Sequence, residues 1–270
     1  ETVLMAKALG VVGLMNVQFA VKNAVTEKPE VYVLEVNPRA SRTVPFVSKA
    51  TGVQVAKVAA RCMVGDSIAK QGITVEVKST HMCVKEAVFP FAKFLGVDPV
   101  LGPEMRSTGE VMGVGTTFGE ALFKSQLGAG NRLPPAGSTV FISVRDDDKA
   151  KAIVVAAELA DAGYKLVATR GTATAFAHAG IDCKTINKVS DGRPNVLDMI
   201  KNKALQLVIM TSNESKGEIN DARAIRLAAL GNRVTYFTTI AGGRAAVEGI
   251  KHLADARVYS LQEIHPKHTA

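Results

Sequence analysis

A cluster of oxygen-bearing and guanidinium side chains lies between Gln18 and Arg42. Glu35 and Asn37 are two residues apart on a predicted strand, so their side chains share one face, and Gln18 on the partner strand can lie beside them. Carboxylate and amide oxygens suit Mg²⁺, whose shell substrate phosphates and water complete. Arg39 and Arg42 follow, and guanidinium groups bind phosphate oxygens in a bidentate manner. The pattern predicts a metal and phosphate site for phosphoryl transfer; alternatively, Glu35 pairs with one of these arginines at the end of an edge strand.

A second group of polar side chains follows four predicted strands in the second half of the chain. Thr169 and Thr172 flank a strand-to-helix turn, where backbone N–H groups and the helix dipole favour an anion. Lys149 and Lys188 follow two further strands, and Ser212 follows the fourth. Because the carboxyl ends of parallel strands meet at one edge of a sheet, these residues predict a phosphate site there. For Thr172 alone, an ordinary helix N-cap is the alternative.

A predicted β-hairpin, formed by strands at residues 13–21 and 31–37, positions the first cluster. Downstream of it the pattern predicts helices at residues 47–50 and 53–63, a strand at 82–89 and a helix at 119–127. These elements form an incomplete fold by themselves.

The second half alternates regularly between strands and helices. Strands are predicted at residues 138–144, 164–169, 182–186, 205–210 and 233–237, with helices at 149–163, 172–180, 195–202 and 218–230. This alternation predicts a parallel sheet covered on both faces. Because residues 127–138 concentrate Gly, Pro and Ser, we expect one domain at 1–130, a linker at 131–137 and a second domain at 138–270.

Composition excludes several classes of protein. Hydrophobic residues make up 47% of the chain and charged residues 21%, as in a folded domain rather than a disordered one. The net charge of +8 is interspersed with acidic residues and few aromatics, which favours anionic small molecules over nucleic acid. No apolar run is long enough to span a membrane, and residues 1–10 lack a secretory pattern. The three cysteines are odd in number and far apart in the sequence, which indicates a reducing compartment. We therefore expect a cytoplasmic protein without a membrane partner.

Two glycine-rich runs are not assigned to a nucleotide site. Gly113, Gly115 and Gly119 are one residue off the dinucleotide fingerprint, and no predicted strand precedes them. Gly242 and Gly243 predict a turn before a helix.

The sequence around the hairpin resembles a known family. QFAV at residues 18–21 and LEVNPRASRTVPFVSKATG at 34–52 look like the closing signature of the ATP-grasp domains of the carbamoyl-phosphate synthase large chain. LGVDPVLGPEMRSTGEVMG at 95–113 is similar to another segment of that family, and the resemblance runs over nearly the whole chain. It implies an α/β protein, in which the end of an ATP-grasp domain precedes a Rossmann-like, methylglyoxal-synthase-like regulatory domain.

The resemblance also implies an activity and the residues for it. The family is a glutamine-hydrolysing, ATP-dependent ligase that phosphorylates carbamate to carbamoyl phosphate for pyrimidine and arginine synthesis. If the roles of the family's residues apply to the matching positions here, Gln18 and Glu35 are metal and nucleotide ligands, and Asn37 is a second metal ligand for Mg²⁺ or Mn²⁺. Arg39 and Arg42 become catalytic groups on the phosphate side.

In the second domain the resemblance implies allosteric sites. A nucleotide monophosphate effector, UMP or IMP, is expected at Lys149, Thr169, Thr172, Lys188 and Ser212. Met210 stands where prokaryotic relatives carry Asn, which leaves the effector open. An ornithine pocket is implied at Glu86 and Thr238, although Glu86 can equally be a surface carboxylate paired near Lys85.

The implied partners are the glutaminase small subunit and the rest of the large chain, because Glu1 is not a natural start and the nucleotide-gripping lobe lies outside this sequence. The chain alone is therefore expected to be inactive. Two other hypotheses are a stand-alone nucleotide-sensing module without catalysis and a different ATP-grasp ligase with an unrelated tail.

Overall fold

The structure is a computed structural model that describes residues 1–26, 28–94, 96–102, 104–213 and 216–265. Two compact units make up the chain. The first contains residues 1–80 and the described residues from Tyr259 onward, and the second contains residues 81–258.

The first unit is built around a two-stranded antiparallel hairpin. Its elements in chain order are α1 (Thr2–Ala8), β1 (Asn16–Lys22), β2 (Glu30–Asn37), α2 (Thr43–Thr51) and α3 (Val55–Met63), followed by a last short helix at Leu261–Ile264. Helix α2 ends at Gly52, whose φ of 76° is the left-handed conformation that favours glycine after a helix. The hairpin exposes large apolar side chains along β2, namely Val31, Tyr32, Val33 and Leu34. This exposure agrees with the expectation that these elements are part of a larger fold.

The second unit begins with an antiparallel pair of strands, β3 (Met82–Val88) and β4 (Gly109–Gly115), against which α4 (Phe118–Gly128) packs. Alternating elements follow, with strands β5 (Thr139–Ser143), β6 (Lys165–Thr169), β7 (Lys184–Ile186), β8 (Leu207–Met210) and β9 (Thr235–Phe237). The helices between and after them are α5 (Lys149–Asp161), α6 (Arg170–His178), α7 (Val196–Lys201), α8 (Lys216–Gly231) and α9 (Ile240–Ile250).

The five strands β5 to β9 form one parallel sheet in the order β7-β6-β5-β8-β9. Side chains alternate between two cores, as a sheet covered on both faces requires. Val140 and Ile142 of β5 point into one core, and Phe141 between them points into the other. The predicted α/β fold class is confirmed, with antiparallel hairpins preceding a parallel sheet.

The structure differs from the expectation at both glycine-rich runs. Gly113 and Gly115 do lie on a strand, β4, so the expectation that no strand feeds this glycine run is wrong. Gly242 and Gly243 lie within the first turn of α9 rather than in a turn before it.

The second compact unit begins at His81, inside the segment that the sequence assigns to the first domain. The physical reason is the packing of α4 on both β4 and α9. Thr117 Oγ1 lies 3.0 Å from His252 Nε2, and a methyl group on Gly119 would lie 2.4 Å from the Glu248 carbonyl oxygen. The linker at 131–137 and the domain boundaries around it stay predictions.

No helix in the described part of the chain is both long and apolar enough to cross a membrane.

Candidate functional site

The hairpin brings the predicted metal ligands side by side. Register pairing places Gln18 opposite Glu35, and Asn16 opposite Asn37. Asn37 Nδ2 donates a hydrogen bond to Glu35 Oε1, so the two side chains share a face as their spacing predicts. The register shifts just after Gln18, where β2 carries one extra residue. A β-bulge of this kind re-aims side chains near sites.

The two arginines follow the hairpin directly. Arg39 Nη1 donates to the Ala40 carbonyl oxygen at 3.1 Å, and Arg42 is the residue immediately before α2. Within the described residues, the hydrogen-bond partner of Glu35 is Asn37, and no ion pair joins Glu35 to Arg39. The structure therefore gives no support for the alternative in which Glu35 merely pairs with Arg39.

A cavity of about 250 Å³ lies in the second unit, where β5, β6, β7 and β8 end. All five residues predicted for the effector line it: Lys149, Thr169, Thr172, Lys188 and Ser212. The position follows from topology. From β5 the chain adds β6 and β7 on one side and then β8 on the other, and such a switch point opens a crevice at the carboxyl ends of the strands.

The N-terminus of α6 forms the floor of this cavity. Thr169 is the N-cap residue but gives the helix no side-chain cap, because its hydroxyl lies 2.9 Å from Ser143 Oγ. Gly171, in the first turn, lines the cavity. Backbone N–H groups of an uncapped first turn are suited to an anion.

Thr172 is not a helix cap, so that alternative is wrong. Helix α6 begins at Arg170, two residues earlier than predicted, and Thr172 is only 1% exposed. Its hydroxyl accepts a hydrogen bond from the Val144 backbone N–H at 3.2 Å. Thr172 therefore ties the end of β5 to α6 and fixes the wall of the cavity.

Three cations line the cavity within the described residues, and each has a carboxylate partner. The atom pairs are Lys149 Nζ with Asp146 Oδ1 at 2.7 Å, Lys188 Nζ with Glu218 Oε1 at 3.6 Å, and Arg145 Nε with Asp148 Oδ2 at 2.9 Å. Lys149 Nζ also lies 3.5 Å from where a methyl group on Gly171 would be, so its charge is close to the first turn of α6.

The two lysines converge on one region. The hydrogen bond and charge of Lys149 lower the pKa of the Asp146 carboxyl below its usual value, and the Lys188 charge adds to this effect. Sequence reasoning identified both lysines but missed Arg145, Asp146 and Glu218. The run of three aspartates at 146–148, directly after a strand end, was the available signal.

Part of the cavity wall is apolar. Its side chains come from the second core and its edge, and they are Phe141, Val189, Val196, Met210, Ala222 and Ile225. The cavity thus combines this apolar wall with the charged side chains and with further polar residues, namely Asn187, Thr211, Asn213 and Asp221. Such an arrangement can bind a molecule that carries both an anionic group and an apolar face.

The residues predicted for an ornithine pocket lie outside this cavity. Glu86 on β3 is half-buried; burial raises the pKa of its carboxyl, and a hydrogen bond with Gln126 partly opposes that rise. Lys85 pairs with Glu110 at 3.0 Å. Thr238 is exposed in the link between β9 and α9.

Comparisons with known proteins cover both halves of the chain. Residues 1–71 match the family model described as carbamoyl-phosphate synthase L chain, ATP binding domain, and residues 151–238 match the MGS-like domain. The carbamoyl phosphate synthase large chain of Ralstonia nicotianae is 64% identical over 98% of this chain and 24% of its own length. That of Neisseria meningitidis serogroup A is 56% identical over the same shares, and that of Pasteurella multocida is 55% identical over 99% and 24%.

A solved methylglyoxal synthase from Elizabethkingia anophelis aligns over 42% of this chain and 78% of its own, with 15% identity and a TM-score of 0.34. The chain spans about a quarter of the length of the curated relatives it matches.

Proposed function

The chain belongs to the carbamoyl phosphate synthase large chain family and spans about a quarter of the length of the relatives it matches. On that premise we propose two functions for it. Its first part contributes the end of an ATP-binding domain that phosphorylates carbamate. Its second part is a regulatory domain that binds a 5′-nucleotide monophosphate and controls that reaction.

The observation that carries the regulatory function is the convergence of Lys149, Lys188 and the uncapped α6 N-terminus in one cavity. A phosphate there meets two ammonium groups and backbone N–H donors, and charge-assisted hydrogen bonds of this kind are the strong ones. The nucleoside part then lies against the apolar wall that includes Phe141 and Met210. UMP and IMP both have this shape.

Calorimetric titration of the 270-residue chain with UMP and IMP tests the regulatory function, with uridine and inosine as controls. Lys188→Ala should weaken nucleotide binding roughly tenfold, the lower end for hydrogen bonds to charged groups, because Lys188 is half exposed and already paired with Glu218. Lys165→Ala is the matched control, since Lys165 is exposed at the amino end of β6, the opposite edge of the sheet. Nucleosides binding as tightly as nucleotides would exclude a phosphate site.

The observation that carries the ATP-dependent function is the match of residues 1–71 with the ATP-binding domain. The side chains there fit a divalent cation, because the exposed Glu35 carboxylate accepts a hydrogen bond from Asn37 and lies opposite Gln18 across the hairpin. Gln18, Glu35 and Asn37 would hold Mg²⁺ or Mn²⁺ through oxygen atoms, and Arg39 and Arg42 would contact phosphate oxygens. When bound, the metal neutralises the charge of the ATP phosphates.

Glu35→Gln in the complete synthase tests this part. The variant should form carbamoyl phosphate from ATP at least about a hundredfold more slowly, the scale for losing one preorganised electrostatic contact. Glu30→Gln is the control, because Glu30 is an exposed carboxylate at the other end of β2. A near-normal rate for Glu35→Gln would contradict the assignment.

The remaining partners follow from the same premise. The rest of the large chain completes the ATP-binding lobe, a glutaminase subunit supplies ammonia, and ornithine binds at Glu86 and Thr238. The chain alone should then be inactive. The stand-alone sensing module remains the second candidate, favoured by the cavity lying wholly within the second compact unit. A different ligase with an unrelated tail does not agree with relatives that match 98% of the chain across both halves.

A further inference from the structure

The cavity of the second unit carries its own anions. Asp146 holds Lys149 at 2.7 Å, and Glu218 holds Lys188 at 3.6 Å. Both carboxylates line the same cavity as the lysines. A phosphate that reaches these lysines therefore meets cations that are already partnered.

The two carboxylates hold the lysines from different elements. The Asp146 side chain lies in the link between β5 and α5 and is 91% exposed, so it reaches Lys149 from the solvent side. Glu218 belongs to the first turn of α8, and its second oxygen accepts a hydrogen bond from the Asn213 N–H at 3.1 Å. Both carboxylate side chains are at least partly exposed, so replacing either of them by an amide should not disrupt the fold.

We propose that Asp146 and Glu218 are internal counter-anions that compete with the ligand phosphate for Lys149 and Lys188 and so set the affinity of this cavity. The inference rests on the proposed nucleotide site. Binding replaces the carboxylate partners of both lysines by the one ligand phosphate, and a carboxylate that stays beside its lysine repels that phosphate. The pKa of Asp146, lowered by both lysines, agrees with this geometry.

The competition has a definite size. An exposed ion pair contributes up to about 1 kcal/mol, equivalent to a factor of about five in an equilibrium constant. Asp146→Asn and Glu218→Gln, each measured by calorimetric titration of the 270-residue chain with UMP, should therefore tighten binding about two- to fivefold. Asp161→Asn removes the same charge from an exposed position at the end of α5 and should leave the affinity unchanged.

A double-mutant cycle separates competition from a change in overall charge. In a Lys149→Ala background, Asp146→Asn should give no gain, because the contested cation is gone. A gain that persists there, or an equal gain in Asp161→Asn, would overturn the inference while leaving the nucleotide site intact.

The possible failures are distinguishable. UMP binding by the parent protein without any gain in Asp146→Asn and Glu218→Gln contradicts the counter-anions alone. Absence of UMP and IMP binding in the parent and in both variants, with normal thermal unfolding, contradicts the proposed site and the inference together. Binding that appears only in the two variants supports the inference, because the carboxylates then block the site.

Discussion

Replacing Gly113 by alanine should strongly destabilise the second compact unit. A methyl group on Gly113 would lie 1.8 Å from the Ala121 carbonyl oxygen and 2.6 Å from the Ser125 backbone nitrogen. Both are backbone atoms of α4, so no side chain can rotate away, and Ala121 and Ser125 are fully buried. The helix itself must therefore move off β4.

The expected magnitude follows from the nature of the clash. Overpacking a core costs about 1–3 kcal/mol, and a clash with backbone belongs at about 3 kcal/mol or above. For a unit of 150–250 residues, each kcal/mol lowers the midpoint by roughly 2–4 °C, so we expect a decrease of about 6–12 °C. Differential scanning calorimetry of the whole chain measures this shift.

Gly109→Ala is the matched control on the same strand. No atom lies within 4 Å of a methyl group at Gly109, and its φ is outside the left-handed region. Because alanine removes backbone freedom from the unfolded chain, this variant should be unchanged or more stable by about 0.5–1 kcal/mol. Equal midpoints for the two variants would refute the close packing of α4 on β4.

Two further predictions concern titratable groups. Burial raises the pKa of Glu86, so its favourable contribution is complete below the unfolded pKa of about 4.3 and is lost as the pH rises through the folded value. Glu86→Gln should therefore raise the melting temperature at pH 7, with a difference that shrinks toward pH 4; a pH-independent difference would contradict this. Burial and the Asp182 charge raise the pKa of Cys183 to about 11, so iodoacetamide at pH 8 should alkylate it roughly a hundredfold more slowly in the native chain than in urea. Peptide mass spectrometry measures both rates, and equal rates would show that the thiol is not shielded.

The alternation of strands and helices in the second half could be predicted from the sequence because its central strands, β5 and β8, are short apolar runs. Leu207–Met210, for example, is buried at every position. Strand β4 could not be read in this way, because Gly113 and Gly115 weaken the apolar pattern of a strand. These glycines allow α4 to approach β4 closely, and only the packed structure shows this contact.

The start of helix α9 differs from the expectation for a similar reason. Gly242 and Gly243 indicate a turn when only local preferences are considered. A methyl group on Gly243 would lie 2.7 Å from Ile209 Cγ2, so the glycine lets α9 approach β8. Helix propensity is here subordinate to tertiary packing.

Most of the candidate cavity could be predicted, but its carboxylates could not. Lys149, Thr169 and Lys188 follow strand ends, and parallel topology brings strand ends together whatever the loops do. Asp146 also follows a strand end, in the run of three aspartates at 146–148, but an exposed acid in a loop or in a first helical turn, as at Asp146 and Glu218, usually only contacts solvent. Their pairing with lysines depends on side-chain distances that sequence spacing does not fix.

The cavity also has a property that depends on the order of its residues along the chain. All of its lining residues come from one continuous stretch, residues 141–225. A site assembled from distant segments is lost when a gene is cut or rearranged, whereas a continuous one is inherited whole. Exchanging this one stretch between proteins that carry the same sheet would therefore transfer all of these lining residues together, without altering the residues of the hairpin.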